Sequence, residues 1–296
     1  MRCVVIGQSG QLASALAERG ALSGAEVVCL GRPEVDLATS DDLVEPVQRG
    51  RPDVVVNAAA YTAVDAAESE PEAARTINVD GARLVAEAAA VIGVPVIHVS
   101  TDYVYDGLAD RAYRESDPVA PKGVYGQTKL DGEAAVAAAA TNHAILRTAW
   151  VYSPFGRNFV KSMLRLAEDR DEVRVVADQI GSPTSAHDLA DAVLRIAGNL
   201  IEHPDNGALR GVFHVAGAGE ATWADMAEAV FAASARRGGP AARVVRITTA
   251  EYPTPAARPL NSRLDLGKVA AVHGIRMPDW RPSVQACVER ILSGET

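Results

Sequence analysis

The sequence predicts an α/β protein: a doubly wound parallel sheet with a smaller α/β lobe. Three observations carry this. Short runs that are apolar on both faces alternate with helix-forming segments through the first half of the chain, the pattern of crossover units in a parallel sheet. A glycine-rich loop follows the first of these runs and opens a helix. After Trp150 the rhythm changes to shorter strands, a Pro-rich connector and separate helices.

The strand candidates in order are CVVIG (3–7), EVVCLG (26–31), DVVVNAA (53–59), PVIHVS (95–100) and AILRTAW (144–150). Helix formers rich in Ala, Glu and Leu stand between them at Leu12–Arg19, Asp41–Arg49, Glu72–Ala90 and Leu130–Ala139. Gly50–Pro52 and Gly93–Pro95 punctuate the boundaries. Further on, 158–170 reads as a helix, followed by a short strand with a Gly/Pro turn, a helix over 187–198 with Ser185 as its cap, and a strand at 211–217. That strand reads as a return to the main sheet. Helix Trp223–Ala233, strand 243–248 and helices near Gly267–His273 and Val284–Leu292 complete the chain. Residues 1–150, with 184–217 returning, are expected to form the larger part, built on the parallel sheet and carrying the glycine-rich loop. Residues 151–183 and 218–296 are expected to form the smaller, substrate-binding lobe.

Composition narrows the function classes. The 296 residues are 48% hydrophobic and 23% charged, ordinary for a globular enzyme. A net charge of -9 without a basic stripe argues against nucleic-acid binding. Cys3, Cys29 and Cys287 are too dispersed for a metal or disulfide framework. No apolar run is long enough to span a membrane, and MRCVVIG reads as a first strand rather than a signal peptide. A cytoplasmic location is the expectation.

VVIGQSGQLASAL places Gly7, Gly10 and Ala13 directly after a strand. Gly7 permits a tight turn, Gly10 lets the backbone approach a pyrophosphate, and Ala13 keeps helix and sheet close. The helix start offers free N–H groups to an anion. Ser9, Gln11 and Leu12 belong to the same loop, and the setting is that of a Rossmann-type dinucleotide site. The second strand ends in Gly31-Arg32 rather than an acid. A guanidinium there suits a 2′-phosphate. Asp36 and Leu37 are candidates to meet the adenine, and the small side chains of Ala58, Ala59 and Ala60 leave room for the middle of the cofactor.

VYGQTKLDGE contains Tyr125 and Lys129, one helical turn apart. A phenol titrates near 10 unaided, and a neighbouring ammonium is expected to lower that. Thr101, at the end of a buried strand, offers a hydroxyl to the same carbonyl oxygen. Asn78 is expected to hold a water near Lys129 as a proton relay, and Ser100 to satisfy the backbone at the strand end. Together the set predicts carbonyl reduction with a tyrosine proton donor. The histidines show no metal-ligand spacing, and no metal is expected from the residues.

These stretches, with RPDVVVNAAAYTAVDAAESEP (51–71), STDYVYDG (100–107), RTAWVY (147–152) and DQIGSPTSAHDLAD (178–191), resemble the extended short-chain dehydrogenases/reductases, in their sugar-nucleotide branch. The resemblance covers nearly the whole chain. It implies NADPH- or NADH-dependent reduction of the C4 keto group of dTDP-4-dehydro-6-deoxy-L-mannose, with Thr101, Tyr125 and Lys129 as catalytic residues. It also implies substrate contacts from Thr101, Asp102, Tyr103, Trp150, Asn158, Gln179, Arg258 and Asn261. Some members hold Mg²⁺ at a subunit contact, which nothing in these residues supports. The related 4,6-dehydratases carry an Asp-Glu pair after the threonine; here it is Asp102-Tyr103. Another reductase or epimerase of the same sugar class, a non-catalytic subunit of this fold, and a homodimer all remain open at this point.

Overall fold

The computed structural model describes residues 1–294; residues 295 and 296, the end of the expected smaller lobe, lie outside them. The chain opens with β1 (Arg2–Ile6), α1 (Gln11–Ser23), β2 (Glu26–Leu30), α2 (Val44–Arg49), β3 (Val54–Asn57), α3 (Val64–Ala67), α4 (Pro71–Arg75), α5 (Ala82–Ile92), β4 (Val96–Thr101), α6 (Val124–Ala139) and β5 (His143–Thr148). It continues with β6 (Val151–Tyr152), α7 (Phe159–Glu168), β7 (Glu172–Val176), β8 (Ile180–Gly181), β9 (Thr184–Ser185), α8 (Ala186–Glu202) and β10 (Gly211–His214). The last elements are β11 (Ala221–Thr222), α9 (Trp223–Ala235), β12 (Arg243–Ile247), β13 (Asn261–Ser262), α10 (Gly267–His273) and α11 (Trp280–Ser293).

Six strands form one sheet in the order β10-β5-β4-β3-β1-β2, and every pairing in it is parallel. β1, β3 and β4 carry Val, Ile and Cys on both faces because helices cover both faces. On one side α1 and α8 bury Leu12, Leu16, Leu189 and Val193 against Val5, Val56 and Phe213. On the other, Val85, Ala89 and Val136 pack with Val4, Val55 and Ile145. The second half builds smaller sheets, β11-β8-β13, β12-β7 and β6-β9. Their core gathers Tyr152, Met163, Val173, Met226, Phe231 and Trp280.

Four helices differ from expectation, the first being α6, which begins at Val124 rather than Leu130 and so takes in Tyr125 and Lys129. The segment expected as one helix over 72–90 is divided: α4 and α5 are separated by a π-helical turn, Thr76–Gly81. α2 begins three residues late, with Leu43 at its N-cap; just before it, Asp42 accepts from Val44 N–H at 2.9 Å. α11 begins at Trp280, where Asp279 accepts from Arg281 N–H at 2.9 Å. Its proline, Pro282, falls in the first turn, where the missing N–H costs nothing.

Candidate active site

The sheet order reverses across β1 and β3, with β2 on one side and the later strands on the other. Open parallel sheets bind ligands at such a point, beyond the C-terminal strand ends. A cavity of about 920 Å³ lies there. At its floor Gly7 has φ 126, a backbone that only glycine adopts readily, and it sits against the Ala58 backbone. Gly10 is different. Its φ of -75 and ψ of 160 are ordinary, and a Cβ added there would meet no protein atom within 4 Å. The protein itself has no need of glycine at this position, so the missing side chain leaves space for a ligand at the start of α1. This fits the pyrophosphate of a dinucleotide.

Gly7, Ser9, Gly10, Gln11, Leu12, Arg32, Asp36, Leu37 and Ala58–Ala60 all line the cavity. Arg32 is exposed at the lip. Asp36 accepts from Ala38 N–H at 3.0 Å, which fixes the turn after β2. The Gln11 side chain is engaged, donating to Val151 O and accepting from Ser153 Oγ. Gln11 therefore ties the loop to the chain beyond β5.

Thr101, Tyr125 and Lys129 line the same cavity. Thr101 ends β4; its Oγ1 donates to Asp102 Oδ1 at 3.0 Å and accepts from Tyr103 N–H at 3.2 Å. Asp102 is 3% exposed, and its Oδ2 has no hydrogen-bond partner among the described residues. Burial pushes its carboxyl up to about 6, against smaller opposing effects of the Ser262 and Thr101 hydroxyls. Tyr125 lies in the first turn of α6, with the Tyr103 ring edge-on at 5.5 Å. Gly126 makes this approach possible, since a Cβ there would lie 2.3 Å from Tyr103 O.

The Tyr125 phenol is pushed up to about 12, chiefly by burial and then by the Asp102 charge, with the Thr101 hydroxyl acting the other way. The expected lowering by Lys129 is not found. Its Nζ instead donates to Val99 O at 2.7 Å and lies 3.3 Å from His98 Nε2. Burial brings Lys129 itself down to about 8.

Several of the expected site residues have their polar groups engaged within the protein. The Asn78 side chain accepts from Tyr61 N–H at 2.8 Å and donates to Thr128 Oγ1 at 3.0 Å and Tyr61 O at 3.3 Å. Both its donors are used to pin the loop after β3. Ser100 does not satisfy the strand backbone; its Oγ donates to Glu133 Oε1 at 2.5 Å. Asn158 caps α7, accepting from Lys161 N–H and donating to Ser153 O and Phe155 O. Asn261 donates to Ala109 O and Arg111 O and accepts from Arg263. Neither amide lines the cavity. Arg258 pairs with Asp65 at 2.7 Å, and it too lies outside the cavity wall.

Trp150 lines the cavity with a left-handed backbone, φ 49, a conformation that is an outlier for a bulky residue. One indole face is stacked on Trp223 at 3.6 Å and 8°. Gly181 leaves the room, since a Cβ there would lie 2.5 Å from the Trp150 ring. The aromatic wall is thus a pair, and sequence reasoning missed Trp223. Gln179 stands behind that wall rather than in it: its Oε1 accepts from Trp223 Nε1 at 3.1 Å. Among the described residues, no group of three or more His, Cys, Asp or Glu is placed to hold a metal ion. No helix among them is long and apolar enough to cross a membrane.

Residues 1–293 match the family model described as the RmlD substrate binding domain. A dTDP-4-dehydrorhamnose reductase of Sinorhizobium fredii is 50% identical over 292 residues, 99% of this chain and 98% of its own. The chain belongs to the dTDP-4-dehydrorhamnose reductase family. The family likeness extends to solved structures. A dTDP-4-dehydrorhamnose reductase from Clostridium acetobutylicum superposes with a TM-score of 0.89 at 34% identity, covering 99% of this chain and 100% of that one. One from Bacillus anthracis, in complex with NADP, gives 0.88 at 33% identity, covering 98% and 99%.

Proposed function

We propose that the chain reduces the C4 keto group of dTDP-4-dehydrorhamnose to give dTDP-L-rhamnose, with NADPH or NADH as reductant. The observation that carries this is the shared cavity, lined both by the glycine loop Gly7–Leu12 and by Thr101, Tyr125 and Lys129. In this reading 1–150 with 184–217 hold the cofactor, and 151–183 with 218–296 hold the sugar nucleotide. Gly7, Ser9, Gly10, Gln11 and Leu12 receive the pyrophosphate, Arg32 the 2′-phosphate, Asp36 and Leu37 the adenine. The nicotinamide, when bound, supplies the hydride for C4.

Tyr125 hands its proton to the C4 oxygen. A phenol held near 12 is neutral at working pH and therefore carries the proton it must give. Thr101 steadies the same oxygen, and for this its hydroxyl turns away from Asp102. The Lys129 ammonium, one turn along α6, stabilises the phenolate left behind. Asp102 and Tyr103 border the sugar. With a tyrosine after Asp102 the dehydratase's second acid is missing, which favours reduction over elimination. The Trp150–Trp223 wall gives the deoxysugar a flat apolar face.

The test is NADPH oxidation with dTDP-4-dehydro-6-deoxy-L-mannose, using cofactor deuterated on the transferable face. Label at C4, with one NADPH consumed per product, is expected. Label at C6, or turnover without cofactor consumption, moves the chain to another reaction. Tyr125→Phe is expected to lower kcat by roughly 10² to 10⁴ while cofactor binding is kept; a near-normal kcat would remove its role.

A further inference from the structure

Between the main sheet and α6 lies a layer of buried polar groups that the reduction does not use. Ser100 of β4 and Arg147 of β5 are register partners, so their side chains share the sheet face that α6 covers. Glu133 stands one turn beyond Lys129 on α6 and faces both. Its Oε1 accepts from Ser100 Oγ at 2.5 Å and Arg147 Nε at 2.9 Å, and its Oε2 accepts from Arg147 Nη2 at 2.6 Å. Arg147 Nη1 donates to the Tyr105 hydroxyl at 2.7 Å, which also lies 2.7 Å from His214 Nε2. Ser100, Glu133 and Arg147 are each no more than 5% exposed. A buried ion pair is weak evidence for stability, because desolvation offsets its attraction. Here the pair is tied to the site through Ser100 and through α6. Ser100 precedes Thr101, and Glu133 shares its helix with Lys129 and Tyr125.

We infer that Glu133, locked by Arg147, is a positioning residue: it fixes the end of β4 through Ser100, and with it Thr101, while its charge supports the Lys129 ammonium. The kinetic part of this rests on the reduction proposed above; the electrostatic part does not.

The surroundings of Lys129 leave Glu133 this role. Asn57 Oδ1 accepts from Ala59 N–H, so its Nδ2 donates to His98 Nδ1 at 3.1 Å. That tautomer puts the ring proton on Nε2, facing Lys129 as a second donor. Burial and the Lys129 charge also hold His98 well below its usual range, so it stays neutral. Asp102 and Tyr103 lie past the end of β4, and Arg147 faces Glu133 from β5. Asp131 pairs with Arg75 on the outer side of α6. Asp65 on α3 pairs with Arg258, and Glu68 accepts from Val124 N–H. On α5, Arg83 and Glu87 pair with each other at an exposed face. Burial works against the ammonium, and the Glu133 charge is what opposes it.

The chain has only four lysines, Lys122, Lys129, Lys161 and Lys268, so a ¹³C-lysine NMR titration follows Lys129 directly, without substrate. In the wild type it is expected to titrate at about 8. Glu133→Gln is expected to lower that by about one unit, a tenfold weaker hold on the proton. That variant leaves Arg147 buried and unpaired; if it does not fold, the double variant Glu133→Gln/Arg147→Met is titrated, with the same direction but a smaller lowering, because a cation leaves with the carboxylate. Ser100→Ala keeps both charges. It is expected to lower kcat roughly three- to tenfold through misplacement of Thr101, with the cofactor KM and the Lys129 titration unchanged. A Lys129 that titrates at the wild-type pH in a folded Glu133 variant overturns the inference, and so does a wild-type kcat in Ser100→Ala. A wild type that does not reduce the keto sugar sinks the proposed function, and the lysine titration then still decides the electrostatic part.

Discussion

Gly10→Ala separates what the chain needs for itself from what it needs for its cofactor. Gly10 caps α1, a helix of 13 residues, with an extended backbone that any residue adopts. A methyl there would point into space free of protein atoms within 4 Å. In the free protein the cost is that of a poorer N-cap, under about 1 kcal/mol. In the proposed complex the methyl stands where the pyrophosphate would approach the first N–H groups of the helix. Losing one charge-assisted hydrogen bond costs about 1.5–3 kcal/mol, so Kd for NADPH should rise roughly ten- to a hundredfold. The assays are thermal unfolding without cofactor and a fluorescence titration with NADPH. An unchanged Kd would refute the reasoning, as would a large fall in the melting temperature of the free protein. Gly7→Ala is the contrast: its φ of 126 should cost the free protein about 1–3 kcal/mol by itself.

Arg32→Ala should raise Kd for NADPH by up to about tenfold, the scale of one exposed charged contact, and leave NADH almost unchanged; equal effects on both would show that Arg32 does not read the 2′-phosphate. Asp102→Asn tests the buried carboxyl. Its folded value of about 6 lies above the unfolded 3.8, so its contribution to stability is present below pH 4 and lost as pH rises through 6. Relative to wild type, the variant should be about equally stable at pH 4 and more stable at pH 7 by on the order of 2–3 kcal/mol; chemical unfolding at the two pH values measures this, and a pH-independent difference contradicts it. Gly132→Ala would place a Cβ 2.1 Å from Asn78 O. Overpacking costs about 1–3 kcal/mol, and α6 must move with Tyr125 and Lys129 on it, so kcat should fall by up to about 10². Wild-type melting temperature and kcat together would show slack between α6 and the π-helical turn.

The sheet and the glycine loop after its first strand were legible because their signals are local. Each strand is a short apolar run closed by Gly, Pro or a polar residue, and the loop at Gly7–Leu12 sits directly between a strand and a helix. The π-helical turn at Thr76–Gly81 was not legible, since one shifted hydrogen-bond step leaves the apolar spacing nearly intact. The partners of the amides were not legible for another reason. Residue type says that Asn78, Asn158 and Asn261 offer donors and an acceptor, but not that Tyr61, Lys161 and Ala109 have taken them. Trp223 was missed because it opens a helix behind the Thr222 capping box, where local pattern reads as packing. Its stacking partner is remote in sequence.

The stacked indoles also give the molecule an optical property at the join between sheet and lobe. Of the three tryptophans, Trp280 is buried in the smaller lobe's core, while Trp150 and Trp223 lie 3.6 Å apart and nearly parallel. Two chromophores so close share their electronic transitions, and the coupling weakens steeply as they separate. Circular dichroism in the near ultraviolet therefore reads the spacing of this pair against the separate signal of Trp280. Any ligand that parts the two rings, and any swing of α9 away from the end of β5, changes the spectrum without an added dye.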